Sequence, residues 1–219
     1  MTNPLKWGIL STGGIADQFT RDVLRLPDHR VVAVGSRELS RANDFADRFA
    51  IKNRHGNYQD LFNDPEVDAI YVATHHPLHA RDTIAALEAG KPVLCEKPFA
   101  MSYAETQAMV ETARQKNLLL MEAMWARYLP HMIRIREIIA SGILGEIISV
   151  RADHGQWFKL DPEFRLFKAE LGGGALFDLG VYPISFAHMV LGSPEKITAR
   201  STKAFTGVDG QTTIILEYK

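Results

Sequence analysis

The sequence predicts an α/β protein whose first part is a parallel sheet covered by helices on both faces. Short, continuous apolar runs alternate with amphipathic helical patterns over about the first 122 of the 219 residues. Strands that are buried on both faces have such uninterrupted apolar runs, and the helices between them form right-handed crossovers. A glycine-containing turn, Ser11-Thr12-Gly13-Gly14, joins the first apolar run to the first helical pattern.

The elements of this first domain follow from hydrophobic spacing and from the residues that end each helix. The expected strands are Leu5–Leu10, Arg30–Val34, Ala69–Ala73, Pro92–Cys95 and Leu118–Met121. The expected helices are Ile15–Leu26, Ser40–Phe49, Tyr58–Phe62, Leu78–Ala89 and a last helix that ends near Lys116. Ser102 and Glu105 have the spacing of a capping box at the start of that last helix. Strands and helices therefore follow each other as in a repeated βα unit.

The pattern changes after about Glu122, and we place a domain boundary there, between residues 1–122 and 123–219. The expected elements of the second domain are a helix at Pro130–Ser141, a strand at Ile147–Asp153, a helix at Ala175–Leu191 and strands at Lys196–Ala204 and Thr212–Tyr218. The last two strands flank a Gly207–Gly210 turn, as antiparallel neighbours do. We expect an α/β domain with an open, mostly antiparallel sheet.

Composition excludes several classes of function. Lys and Arg number 25 against 26 Asp and Glu, so a net charge of -1 gives no electrostatic basis for binding nucleic acid or a membrane surface. The single cysteine, Cys95, cannot form an internal disulfide. Neither a signal peptide nor a run of about 18 consecutive apolar residues is present. We expect a cytoplasmic protein that acts on a small molecule.

The first turn resembles the glycine fingerprint that cradles a pyrophosphate. In the pattern G-x-G-x-x-G/A, Ser11, Gly13 and Ala16 occupy the three marked positions. Gly13 would let the backbone approach the phosphates, and the helix N-terminus would supply free N–H groups. The expected contacts of this turn with a dinucleotide are Ser11, Thr12, Gly13, Gly14 and Ile15. The alternative is a strand–helix turn that binds no ligand.

The end of the second strand indicates which dinucleotide would bind. An NAD site usually has Asp or Glu there, whereas this chain has Ser36 and Arg37, with Arg41 one helical turn further on. A hydroxyl and guanidinium groups suit a 2′-phosphate, so NADP(H) is the expected cofactor. NAD(H) stays possible if Glu38 binds the ribose, and both arginines could instead be solvated residues of a helix start.

Other candidate residues follow the later strands, because ligands of such sheets bind beyond the carboxyl ends of the strands. The further expected cofactor contacts are Thr74, His75, His76, His79, Glu96 and Lys97. Lys97 would lie near the nicotinamide, where an ammonium can hold a substrate oxygen. The histidines do not indicate a metal, because Pro77 interrupts them and no further ligand has suitable spacing.

Asp178 and Tyr182 are the candidate catalytic pair of the second domain. They stand four residues apart on the helix expected after Gly172-Gly173-Gly174, so they share one face. A tyrosine can accept the proton of an alcohol whose hydride leaves, while an aspartate orients the reacting group. The residues expected to line the substrate are Trp125, Arg127, His154, Trp157 and Phe158.

Four segments carry a resemblance to a known family. The segments CEKP (residues 95–98) and GGGALFDLGVYP (residues 172–183) are the most specific, supported by EAMW (122–125) and GILGEI (142–147). Together they resemble the Gfo/Idh/MocA oxidoreductases. Tyrosine at position 182 makes the chain more similar to the branch of dihydrodiol, glucose–fructose and NADP-dependent xylose oxidoreductases. The resemblance implies an N-terminal Rossmann domain and a C-terminal domain whose sheet forms a homodimer or a larger oligomer. It also implies that the second domain is truncated at Lys219, inside that sheet.

The same resemblance implies catalytic roles for Lys97, Asp178 and Tyr182. We expect an NADP(H)-dependent oxidoreductase that transfers hydride between the nicotinamide and an alcohol or carbonyl carbon of a sugar or cyclic diol. Tyr182 would take the hydroxyl proton, Lys97 would hold the oxygen, and Asp178 would orient the group. One alternative is a non-catalytic NADP(H)-binding regulatory protein. A second alternative is a glycoside hydrolase with tightly held NAD, and Arg37 and Tyr182 argue against this second one.

Overall fold

The computed structural model describes residues 3–219, and this part of the chain divides after Ala123 into two compact units. The first unit contains a six-stranded sheet in the order β3-β2-β1-β4-β5-β6, with every neighbouring pair parallel. Its strands are β1 Leu5–Leu10, β2 His29–Gly35, β3 Asn53–His55, β4 Ala69–Val72, β5 Val93–Glu96 and β6 Leu120–Ala123. The strand order reverses between β1 and β4, which is where ligands of such sheets bind. The α/β class is confirmed.

Five helices connect these strands. They are α1 Gly14–Val23, α2 Leu39–Phe49, α3 Tyr58–Phe62, α4 His79–Glu88 and α5 Tyr103–Lys116. The side chains of Asn57 and Ser102 cap α3 and α5 by accepting the N–H groups of Asp60 and Glu105. The cap predicted at Ser102 is confirmed, although the Glu105 carboxylate accepts the N–H of Met101. Strand β3 was not predicted, because its three residues show no apolar run.

The core of the first unit lies on both faces of the sheet. Alternating side chains of β1 and β4 separate into two apolar clusters, because successive residues of a strand point to opposite faces. Ile9 and Tyr71 belong to the cluster that includes α1 and α2, whereas Leu10, Ile70 and Val72 belong to the cluster under α4 and α5. All five side chains are at most 1% exposed. The two packed faces hold the carboxyl ends of the strands in a fixed array.

The second unit begins with a 3₁₀ turn and ends with a β-hairpin. Its longer elements are α6 Pro130–Ala140, a π-helical turn Leu176–Gly180, α7 Val181–Leu191, β7 Lys196–Lys203 and β8 Asp209–Glu217. Its 3₁₀ turns are Trp125–Tyr128, Arg165–Phe167 and Ala169–Leu171. Strands β7 and β8 pair antiparallel, as predicted.

One expectation for this unit is wrong. The strand predicted at Ile147–Asp153 is irregular chain, most of it exposed. A strand needs a hydrogen-bonded neighbour, and within residues 3–219 β7 and β8 pair only with each other. The helix predicted at Ala175–Leu191 is present, and its first turn is π-helical. π-Helical turns are rare in proteins, and those that occur are often found at functional sites.

One helical stretch of the described chain, Ala169–Leu191, is long and apolar enough to cross a membrane by length and composition alone. Its mean hydropathy reaches 1.3, although the apolar residues are not consecutive. The stretch contains Gly172-Gly173-Gly174 and the buried carboxylate of Asp178, and it changes between 3₁₀, π and α geometry. Length and composition are weak support for a membrane span, since helices that pack inside proteins pass the same test.

Candidate active site

The turn between β1 and α1 has the geometry of an anion site. Gly13 is the N-cap residue of α1 and has an extended backbone, and no side chain caps the helix, so the first N–H groups point outward without a side-chain acceptor. A Cβ atom at Gly14 would meet nothing within 4 Å, and one at Gly13 would meet only Ser11 Oγ, at 3.8 Å. Ala16 is completely buried and packs α1 on the sheet. These residues fit a dinucleotide pyrophosphate.

Ser11 makes this turn with a backbone that favours glycine. Its φ is +96°, and its N–H donates to the carbonyl oxygen of Gly35 at the end of β2. This hydrogen bond holds the two strand ends together. Thr12 and Ile15 lie on the same turn, and the Ile15 side chain is exposed.

The residues that follow β2 are arranged around the start of α2. Ser36 is buried, and its Oγ accepts the N–H of Glu38. Glu38 is the N-cap residue of α2, and its carboxylate accepts a hydrogen bond from Arg41 Nε at 3.1 Å. Arg37 is exposed. The carboxylate that could favour NAD is therefore held by Arg41, while the Arg37 side chain faces solvent.

The predicted histidines lie at different depths beyond β4. His75 is exposed, His76 is 8% exposed, and the imidazole of His79 is completely buried. The two ring nitrogens of His79 lie 2.7 Å from the carbonyl oxygen of Pro98 and 2.9 Å from that of Thr74. Burial lowers the pKa of His79 despite these contacts. His79 thus contacts the main chain behind two strand ends.

The hydroxyl oxygen of Thr74 is buried and has no hydrogen-bond partner within residues 3–219, which leaves a polar atom for a ligand to satisfy. No group of three His, Cys, Asp or Glu side chains in the same part of the chain is placed to hold a metal ion.

The segment that carries Lys97 is held by two carboxylates. Glu96 Oε2 accepts the main-chain N–H of Lys97 at 3.1 Å, and Glu122 Oε1 accepts that of Phe99 at 3.0 Å. The other oxygen of Glu96 accepts a hydrogen bond from the Tyr71 hydroxyl at 2.5 Å. Sequence reasoning missed Tyr71, and it used Glu122 only as part of a motif. The rule that strand-end residues line the site could have indicated Glu122, which lies near the end of β6.

Burial controls the titration of the groups at the end of β5. It raises the pKa of the Cys95 thiol to about 12, so this thiol stays protonated and packs in the core. Burial also raises the pKa of Glu96, although hydrogen bonds from Tyr71 and from the Lys97 main chain partly oppose the increase.

In the second unit, the structure brings Trp125, His154 and Tyr182 together. The indole N–H of Trp125 donates to the Tyr182 hydroxyl oxygen at 3.0 Å, and the two rings meet edge to face. The His154 ring lies 5.2 Å from the Tyr182 ring, centre to centre. The Trp125 indole N–H therefore fixes the position of the Tyr182 hydroxyl oxygen.

Asp178 lies in the π-helical turn, one turn before Tyr182. The residue is 6% exposed, and its carboxylate accepts a hydrogen bond from Arg165 Nη2 at 3.0 Å. Asp209 of β8 accepts the N–H of Leu176 at the start of the same turn. Sequence reasoning missed Arg165 and Asp209. Arg165 lies 13 residues from Asp178 in the sequence, and Asp209 lies 33 residues from Leu176.

The other expected substrate-lining residues do not join this cluster through a described contact. Arg127 donates to Ser185 Oγ at 3.4 Å, Trp157 is 86% exposed, and Phe158 packs near Phe164. These three lie on the first turn of the unit and on the irregular segment before the 3₁₀ turns. Their roles toward a substrate stay predictions.

Comparison with protein-family models assigns both parts of the chain. Residues 5–124 match the model of an oxidoreductase family with an NAD-binding Rossmann fold, Gfo/Idh/MocA. The chain belongs to this family. Residues 132–219 match a C-terminal domain of the same family. The family resemblance predicted from the sequence motifs is confirmed.

Curated relatives of this Gfo/Idh/MocA chain are longer proteins. The chain is 42% identical over 218 residues to trans-1,2-dihydrobenzene-1,2-diol dehydrogenase of Mus musculus, and 43% identical to the enzyme of the same name from Bos taurus. The matches cover 98% of this chain but 65% and 64% of the relatives. The chain thus spans about two thirds of the length of these dehydrogenases.

Solved structures share the fold. A 3-ketoreductase from Actinomadura kijaniata, crystallised with NADP and TDP-benzene, has a TM-score of 0.86 at 30% identity and matches 99% of this chain and 67% of its own. A levoglucosan dehydrogenase in complex with NADH and levoglucosan has a TM-score of 0.92 at 24% identity, with 99% of this chain and 64% of its own covered. The second likeness shows the fold alone.

Proposed function

We propose that the protein is an NADP(H)-dependent oxidoreductase that acts on a CH–OH group or the corresponding carbonyl of a sugar or cyclic diol. The observation that carries this proposal is the uncapped N-terminus of α1 beside the open glycines Gly13 and Gly14, in a chain with the family's Glu96-Lys97 strand end. When bound, the nicotinamide would accept hydride from the alcohol carbon or return it to the carbonyl carbon.

The chain's own residues then bind, orient and move a proton. The α1 N-terminus, Thr74 and the Glu96-Lys97 segment would hold the dinucleotide, and the Lys97 ammonium would hold the substrate oxygen. Tyr182 would take the proton of the substrate hydroxyl, with the Trp125 indole N–H bonded to the phenolic oxygen. Asp178 would orient the reacting group from a position that Arg165 fixes. The names of the dihydrodiol dehydrogenases and the 3-ketoreductase support an alcohol or ketone substrate.

Removing either proposed catalytic group separates binding from chemistry. We expect Lys97→Met and Tyr182→Phe to lower turnover at least 100-fold on a panel of sugars and diols, because each removes a group that acts on the transferring proton or the oxygen. NADPH binding, read by fluorescence, should persist. The matched control is Tyr128→Phe, an exposed tyrosine of the same unit, which should retain activity. Turnover close to wild type in either variant contradicts these roles. If the wild-type protein binds NADPH but turns over no substrate of the panel, the protein is a regulatory one.

The preference for NADP(H) is proposed from Ser36 and Arg37 at the end of β2. Arg37→Ala should raise the dissociation constant of NADPH by about 10- to 100-fold, since a hydrogen bond to a charged group is worth about 1.5–3 kcal/mol. The dissociation constant of NADH, which has no 2′-phosphate, should stay nearly constant. Equal losses for the two nucleotides in a titration followed by fluorescence would refute the role of Arg37.

A further inference from the structure

Tyr71 and Glu96 form a buried pair beneath the segment that carries Lys97. Tyr71 of β4 lies opposite Leu94 of β5, so Glu96, two residues further on, emerges from the same face of the sheet. The Tyr71 hydroxyl donates to Glu96 Oε1 at 2.5 Å, and the two residues are 1% and 7% exposed. Because water has little access to either group, the hydroxyl and the carboxylate depend on each other for hydrogen bonding.

The Tyr71 ring is itself fixed by packing. Phe19 of α1 stacks on it with ring centres 3.7 Å apart and an angle of 13° between the planes, and Trp7 meets Phe19 edge to face. The direction of the hydroxyl is therefore set by the apolar cluster between α1 and the sheet. Burial, and then the charge of Glu96, raise the pKa of Tyr71 far above its ordinary value. Tyr71 consequently stays a hydrogen-bond donor over the whole working pH range.

Glu96 transmits this fixed position to the main chain. Its second oxygen, Oε2, accepts the N–H of Lys97 at 3.1 Å. Resting on the function proposed for Lys97, we propose that Tyr71 is a positioning residue that fixes the Glu96 carboxylate so that it holds the main chain of Lys97. Tyr71 has no contact with the reacting atoms in this role, and it acts only through Glu96.

The charged and titratable groups around Glu96 determine how the loss of Tyr71 would show. Lys97 stabilises the Glu96 carboxylate, whereas Glu122 disfavours its charge, and the neighbouring Cys95 thiol stays neutral. Removing the Tyr71 hydroxyl takes away a donor to the ionised form, so the pKa of Glu96 must rise further. Glu96 would then stay protonated to a higher pH, and its hold on the Lys97 N–H would weaken over that range.

The test is Tyr71→Phe in the 219-residue chain, which keeps the ring and its stacking on Phe19. We expect the Glu96 carboxyl carbon, assigned by its loss in Glu96→Gln and followed by NMR, to titrate about one to two pH units higher. Hydrogen exchange of the Lys97 amide should become roughly tenfold faster. The acidic limb of the pH profile of kcat/KM should move to higher pH by the same amount as the carboxyl titration.

Two controls separate positioning from a general loss of packing. Phe19→Leu removes the stacked ring but keeps the hydroxyl as a donor, so it should lower stability and move the Glu96 titration much less than Tyr71→Phe does. In the Glu96→Gln background, Tyr71→Phe should leave the pH profile unchanged, because the group that titrates is gone.

The outcomes are distinguishable from those for the proposed function. An unchanged Glu96 titration and unchanged Lys97 exchange in Tyr71→Phe overturn the proposal, even if the wild type binds NADPH and turns over. A shift of the same size in Phe19→Leu also overturns it. If the wild type shows no turnover at all, the proposed function fails, while the Glu96 titration and the Lys97 amide still decide whether Tyr71 positions this segment.

Discussion

Ser11 at the first turn combines a backbone cost with its proposed role in binding. Ser11 has a φ of +96°, in a region that residues other than glycine rarely adopt. The fingerprint position that Ser11 occupies is usually a glycine for this reason. Sequence reasoning located the position, and the structure shows that the serine accepts the unusual backbone.

Ser11→Gly should therefore stabilise the protein. We expect the free energy of unfolding to rise by about 1 kcal/mol, because glycine adopts a positive φ without the clash of a Cβ atom. Urea unfolding measures the difference. Thr12→Gly is the matched control, since Thr12 has no positive φ and glycine there adds only chain entropy to the unfolded state. A loss of stability in Ser11→Gly would show that the serine hydroxyl outweighs the backbone strain.

At the scale of elements, the start of the helical segment with Asp178 and Tyr182 depends on close contact with β8. Gly174 has a φ of +115°, and a Cβ atom there would overlap the carboxylate of Asp209. The other oxygen of that carboxylate accepts the N–H of Leu176. The last glycine of the Gly172-Gly173-Gly174 run thus lets β8 cap the π-helical turn.

Gly174→Ala should be much more damaging than alanine at another glycine with positive φ. Gly192 has a φ of +77° with a ψ of -150° and open space around its Cβ position, so Gly192→Ala measures the backbone cost alone, about 1–3 kcal/mol. Gly174→Ala adds displacement of Asp209, and we expect a total loss of about 3 kcal/mol or more. Urea unfolding of the two variants tests the difference. Equal losses would mean that β8 moves away at little cost.

At the scale of the whole molecule, the apolar core belongs mainly to the first unit. The two clusters of buried residues all come from positions up to Ala123, whereas α6 and α7 contain no fully buried residue. Apolar burial is the main stabilising term in folding. The first unit should therefore contribute most of the free energy of unfolding of this chain, and its polar contacts should set how stability depends on pH.

The Asp64 carboxylate makes several of these polar contacts. Burial raises the pKa of its carboxyl, but hydrogen bonds from His55, the Glu66 main chain and Asn53 outweigh burial and hold the pKa below its ordinary value of 3.8. A carboxylate whose pKa is lower in the folded state stabilises the protein above the unfolded value, and this contribution is lost as the pH falls through the folded value.

Asp64→Asn should consequently lower stability at neutral pH and have less effect in acid. We expect a loss of about 1–2 kcal/mol at pH 7 that shrinks as the pH falls below 3.8 and through the lower pKa of the folded state. Urea unfolding at several pH values measures it. Asp44→Asn, on an exposed position of α2, is the control and should show no such dependence. A loss of the same size at pH 7 and in acid would indicate a packing effect rather than a charge effect.

Much of the fold could be predicted from the sequence because local patterns determine it. The apolar runs of β1, β4 and β5, the cap at Ser102 and the glycine turn all act within a few residues, and all appear as expected. The short strand β3 could not be predicted because three polar residues have no periodicity. The strand expected at Ile147–Asp153 failed because a strand depends on a neighbour, which its own sequence does not specify.

By itself the sequence determined the α/β class, the family motifs and the candidate residues Lys97, Asp178 and Tyr182. Only the tertiary structure decided which distant groups support them. The Tyr71 hydroxyl on Glu96 depends on the adjacency and register of β4 and β5, and the Trp125 N–H on Tyr182 spans 57 residues. Local sequence specifies backbone propensity and periodicity, whereas a hydrogen bond between distant residues requires a spatial proximity that only the packed chain creates.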